Sequence, residues 1–82
     1  MATVHLQADH ARHTNGEREL EVGGATVGAV IDELDARFPG LGHFLRKGAS
    51  VAIDGELQPR GTIYAPVGPE AVLHFLIPIT GG

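Results

Sequence analysis

The segment "LHFLIPITGG", residues 73–82, brings the sequence to its last residue through an apolar run, a proline and two glycines. Pro78 cannot donate a ladder hydrogen bond and so ends a strand. Taking Gly82 as the chain end, Pro78 to Gly82 reach at most about 17 Å when extended, enough to thread a narrow channel in a partner. Gly81 and Gly82 carry no side chains, so a tunnel can grip their backbone closely. The one functional group at such a tip is its α-carboxylate. The competing reading is a frayed terminus with no role.

The other chemistry-bearing residues are weaker candidates. There are five histidines: His5, His10, His13, His43 and His74. "HARH" (10–13) sets two of them three apart beside Asp9, a spacing that holds a metal only on a helix. That segment lies where a strand gives way to a turn, so these histidines are expected to be exposed, with no metal bound. His74, between Leu73 and Phe75, falls on the opposite strand face and is expected at a surface or interface rather than as a catalytic base. Ser50 is the single serine and has no G-x-S-x-G elbow around it. No phosphate-cradling G-x-x-x-x-G-K-[ST] occurs. Asp54 and Glu56 flank Gly55 in a turn, which explains them structurally. The absence of cysteine removes thiol nucleophiles, Fe–S ligation and cysteine-based zinc sites, and with them a β-grasp ferredoxin.

The elements that must position the tail follow from periodicity. "TVHLQAD" (3–9) alternates, with Val4, Leu6 and Ala8 on one face and His5 and Gln7 on the other. "ERELEV" (17–22) places Leu20 and Val22 on one face, and Asn15-Gly16 before it is a turn signal. These two segments predict a hairpin with a long connection. Val27, Val30, Ile31, Leu34 and Phe38 form one stripe of a helix. Thr26 is its expected N-cap, and Pro39-Gly40 its stop. Asp32, Glu33, Asp35 and Arg37 lie off the stripe and read as a solvated face. "GLGHFLRKGA" (40–49) reads as a glycine-punctuated loop with at most one helical turn. "SVAID" (50–54) is a short strand turning at Asp54-Gly55 into a brief return. "GTIYAPVGPE" (61–70), with two prolines and two glycines, cannot be a central strand throughout. "AVLHFLIP" (71–78) is the most apolar segment and suits a central strand.

With 82 residues, one domain is expected. The first and last strands pair in parallel at the centre of a mixed sheet of four to five strands, packed on one main helix. That is an α+β β-grasp, or ubiquitin-like, roll. It is expected to occupy residues 1–78, with 79–82 as a flexible tail. The net charge of −4, with six Lys and Arg residues, disfavours nucleic acid and suits a basic patch on a protein partner. The N-terminus does not read as a signal peptide, and no apolar run is long enough to span a membrane. A reducing, cytoplasmic setting is expected.

Across nearly its whole length the sequence resembles the MoaD/ThiS family of ubiquitin-like sulfur carriers. The resemblance rests on "GATVGAVIDELDARFPGL", on "VAIDGE", where the family often reads V-x-V-N-G-E, and on "VLHFLIPITGG". The length is closer to the molybdopterin synthase small subunit than to the shorter thiamine-pathway carrier. The sequence departs at "VGPEA", where the family commonly reads D-G-D-E.

The resemblance implies a carrier rather than an enzyme. An E1-like adenylyltransferase/sulfurtransferase, which would supply ATP and Mg, adenylates the Gly82 carboxylate. A persulfide displaces AMP, and the thiocarboxylate then delivers sulfur to an acceptor enzyme such as a synthase large subunit. No cofactor is expected on this chain. Gly82 would be the chemical site and Gly81 the clearance residue, with Thr80 and Ile79 steering. Leu76 and His74, beside the tail, are expected to meet the partner. Two rivals stay open: a ubiquitin-like modifier joined through Gly82 to lysines, and a β-grasp interaction module.

Overall fold

The computed structural model describes residues 1–48, 50–58 and 63–76. Its elements run β1 (Ala2–His5), α1 (Ala8–Ala11), β2 (Glu19–Val22), α2 (Val27–Arg37), α3 (Leu41–Gly48), β3 (Ser50–Ile53), β4 (Glu56–Leu57) and β5 (Val72–Leu76). The strands form one sheet in the order β2-β1-β5-β3-β4. β1 and β5 are parallel, and the other pairs are antiparallel. This is the expected β-grasp, with β5 third of five.

Alternation in the strands and the three-to-four spacing in α2 meet in one core. Val4, Leu20, Val22, Val51, Leu73 and Phe75 from the sheet pack with Val27, Val30, Ile31 and Leu34 from α2. Phe38 lies just past the helix and packs half-buried against the same cluster. Burying a side chain of this size contributes roughly 1.5–3 kcal/mol, and an 82-residue chain without disulfides depends on such terms.

The first turn of α2 is closed by its cap residue and by a distant segment together. Thr26 Oγ1 accepts from Ala29 N at 3.1 Å, as the cap assignment predicts. The backbone of the 63–67 segment takes the remaining early donors, Val27 N to Ala65 O at 3.1 Å and Gly28 N to Ile63 O at 2.7 Å. The proline-rich stretch therefore crosses the start of the helix rather than joining the sheet.

Two expectations need correction. Residues 41–48 are a full helix, α3, not a loop. Asp35, expected in solvent, is half-buried and caps that helix, accepting from Gly40 N at 3.1 Å and Gly42 N at 3.0 Å. Leu41 and Leu45, one turn apart, then bury their side chains in the core. The first strand also ends earlier than its alternation suggests. After one further ladder bond, Leu6 N to Arg18 O at 2.8 Å, the chain turns at Gln7 into α1. Asn15 and Gly16, both with positive φ, reverse it toward β2.

Asp54 and Gly55 make the tight turn between β3 and β4 with φ of 50° and 85°. Asp54 also fastens this hairpin to β5: its N–H donates to Val72 O at 2.8 Å, and its Oδ1 accepts from Val72 N at 2.9 Å.

Candidate functional site

Ile79, Thr80, Gly81 and Gly82, together with Ile77 and Pro78, lie outside the described residues. The structure does place the base from which they depart. Leu76, the last residue of β5, is paired to Ser50 of β3. β5 is held on both sides, by β1 and by β3, so the root of the tail is fixed by a central strand. Leu73 and Phe75 are buried, at 0% and 2% exposure. His74 is exposed and Leu76 half-buried, both on the sheet face opposite α2.

On that open face the registers align one residue from each strand into a row. Glu19 faces His5, His5 faces His74, His74 faces Ala52, and Ala52 faces Leu57. The His5 and His74 rings stack at 4.5 Å with 10° between their planes. His5 Nδ1 lies 3.6 Å from Glu19 Oε1. Beside the stack is an open groove of about 460 Å³ whose walls include Leu6, Gln7, Arg18, Phe75 and Leu76. Arg18 is held there by donating from Nε to Leu6 O at 3.2 Å. Among the described residues the groove thus reaches Leu76 at the end of β5, and it offers a stacked imidazole surface, the Arg18 guanidinium, the Glu19 carboxylate and an apolar wall.

The remaining histidines correct an expectation. His13 is exposed, but His10 is wholly buried at 0% exposure. It sits in α1 rather than in a turn, with Nδ1 accepting from Gln7 N at 3.1 Å. Its ring meets the Phe44 ring of α3 edge-on at 5.3 Å, and His13 meets the same ring at 5.1 Å. Burial holds the His10 pKa below the usual histidine value; Asp9 works against that and His13 adds to it. Among the described residues no three His, Asp or Glu side chains gather as a metal site.

Of the residues singled out in the sequence as partner contacts, the structure places His74 and Leu76 on the groove wall; Arg18 and Glu19 as groove residues and His10 as a buried group were not anticipated. His5 was legible as an outward-facing residue; its stacking on His74 depends on the β1–β5 register.

The ThiS family model matches residues 6–82. No curated protein sequence matches the chain. Among solved structures, a chain of the Amycolatopsis orientalis BexX/CysO complex is 28% identical, with all of both chains covered and a TM-score of 0.89. CysO of Mycobacterium tuberculosis is 20% identical, covering 96% of this chain and 100% of that one, with a TM-score of 0.87, a likeness of fold. Small archaeal modifier protein 1 of Haloferax volcanii is 25% identical, covering 99% and 98%, with a TM-score of 0.73.

Proposed function

This chain belongs to the ThiS family of ubiquitin-like sulfur carriers, and from that premise we propose that it carries sulfur as a thiocarboxylate on Gly82. The observation that supports this most directly is the family match, which runs from residue 6 through the terminal diglycine. The geometry is compatible: the six residues after Leu76 reach at most about 20 Å from a fixed strand end.

The chemistry requires activation, because a carboxylate is a poor acyl donor at neutral pH. The Gly82 carboxylate oxygen attacks the α-phosphorus of ATP on an E1-like enzyme, and pyrophosphate leaves. A persulfide sulfur attacks the resulting acyl-adenylate and AMP leaves, giving an acyl disulfide. A second thiol cleaves the S–S bond, is itself oxidised to a disulfide, and frees the thiocarboxylate. An acceptor enzyme, such as a synthase large subunit of the molybdopterin type or a related pathway, then takes the sulfur. This chain contributes the handle and the docking face; ATP and Mg belong to the partner, and the setting is cytoplasmic. CysO of Amycolatopsis orientalis is held in a complex with BexX, which supports action through a bound partner.

On this reading His74, Leu76 and the open groove receive the activating enzyme, while Ile79, Thr80 and Gly81 thread its channel. ATP–pyrophosphate exchange tests it. Removing Gly82 abolishes exchange. Gly81→Ala impairs exchange while leaving the melting temperature unchanged, because a methyl group blocks a channel but removes no packing. Undiminished exchange by the Gly82-deleted chain refutes the proposal. A second reading, conjugation of Gly82 to lysine amines, is favoured by the likeness to small archaeal modifier protein 1; gel-shifted conjugates in the host distinguish it.

A further inference from the structure

His10 is a buried titratable group that sulfur transfer does not use. Its Nδ1 accepts the Gln7 backbone N–H, so the neutral ring carries its proton on Nε2. Nε2 is buried and has no hydrogen-bond partner among the described residues. A second proton has only Nδ1 to occupy, where it would confront the Gln7 N–H, donor against donor. The ring therefore cannot become charged in place. Either it stays neutral or the contact at the start of α1 opens.

That contact borders the groove. Gln7 lines it together with Leu6, His74 and Leu76, and Gln7 is also the residue from which α1 starts. The ring also meets Phe44 of α3 edge-on. Among the described residues Asp9 favours the charged form of His10 and His13 opposes it; Asp9 is itself 3.8 Å from the Arg12 guanidinium. We propose that His10 is an acid-sensitive latch: neutral, its Nδ1 holds the Gln7 N–H beside the groove wall; protonated, it gives up that one bond, while Gln7 O keeps the His10 and Ala11 N–H groups, and the groove wall at Gln7 shifts. The latch stands on the His10 geometry alone. Its meaning as control of partner docking rests on the function proposed above.

The direction of the pH effect follows from linkage. Burial depresses the pKa of His10 in the folded state, so the released form takes up the proton more readily. The latch holds fully above the ordinary histidine pKa of about 6.5 and weakens as pH falls below it toward the depressed value. With one proton driving release, the open population rises about tenfold per pH unit across that interval.

Nuclear magnetic resonance on the full chain tests this without any partner protein, so its outcome is independent of the sulfur-carrier reading. Three signals are followed between neutral and mildly acid pH: the His10 ring nitrogens, Gln7 amide exchange corrected for its intrinsic pH dependence, and the Leu76 methyl groups. His10→Asn places an amide oxygen near the position of Nδ1, retaining an acceptor for Gln7 that cannot take a proton in this range. In the wild type, Nε2 is protonated and Nδ1 bare at neutral pH. Gln7 exchange then rises about tenfold per unit below about 6.5, and the Leu76 signals move with the same midpoint. In His10→Asn both responses are flat. A neutral ring protonated on Nδ1, a wild-type Gln7 amide that stays protected until global acid unfolding, or an unchanged response in His10→Asn overturns the latch. The ring-nitrogen measurement on the wild type decides the matter even if the variant does not fold.

Discussion

Replacing Phe75 by alanine and Leu76 by glutamate tests the face assignment of β5 with two adjacent residues. Phe75 is 2% exposed and lies opposite Val51 in the ladder, inside the cluster formed by the sheet and α2. Truncating a buried phenylalanine to alanine costs about 3–5 kcal/mol, from lost transfer energy and the cavity left behind. An 82-residue domain has a total stability of roughly 4–12 kcal/mol, so this one change removes much of it. At about 4–8 °C per kcal/mol, the melting temperature falls by about 12 °C or more. Leu76 is half-buried on the opposite face. Losing part of a leucine's burial costs about 1 kcal/mol, with no charge driven into the core. Urea melts of both variants measure stability, and titration calorimetry against the activating enzyme measures docking. Leu76→Glu is expected to weaken docking roughly 30-fold, or about 2 kcal/mol, as an interface anchor would. A Leu76→Glu chain that unfolds beside a stable Phe75→Ala chain would show the strand to be one residue out of register and refute the reasoning.

Two further perturbations probe the scaffold. Gly24→Ala should destabilise by about 2 kcal/mol or more. Its φ is +142°, and the added Cβ would stand 2.9 Å from Val30 N. Gly23→Ala, with open space around its Cβ, should stay within about 0.5 kcal/mol of wild type in the same urea melts. Thr26→Ala should cost about 1 kcal/mol by leaving Ala29 N without its cap, whereas Thr26→Ser retains the oxygen and most of the stability; equal losses from both would show that the hydroxyl is not the source.

The parts of this fold legible in the sequence are those governed by local period. The alternation of Val4 with His5 and of Leu20 with Glu21, and the Val27–Leu34 stripe, each identify an element and its buried face. The parallel β1–β5 pairing follows because a single main helix must cover a sheet whose two apolar strands lie at opposite ends of the sequence. Features that depend on distant partners were not legible. Asp35 looks solvated within α2 because its partners, Gly40 N and Gly42 N, belong to the start of the next helix. The same glycines disguise α3 as a loop, although Leu41 and Leu45 carry its buried stripe. His10 reads as a turn residue because its place in α1 and its ring contact with Phe44 of α3 leave no local pattern in the sequence. The outward face of His5 is visible in the alternation, but its stack on His74 and its approach to Glu19 come from strand registers that alternation cannot fix. The diglycine tail was singled out from its residues and then from the resemblance, and those residues lie outside the ones the structure describes.

The central claim, sulfur carried on Gly82, is tested most directly by the intact mass of the purified chain. The chain is incubated with ATP, an activating enzyme and a persulfide donor, and its mass and C-terminal peptide are then measured. The account predicts a gain equal to one oxygen replaced by one sulfur, confined to the peptide ending in Gly82, dependent on ATP and lost when Gly82 is deleted. An unchanged mass under conditions in which the enzyme activates another carrier of this family, or a sulfur gain that survives deletion of Gly82, would contradict it.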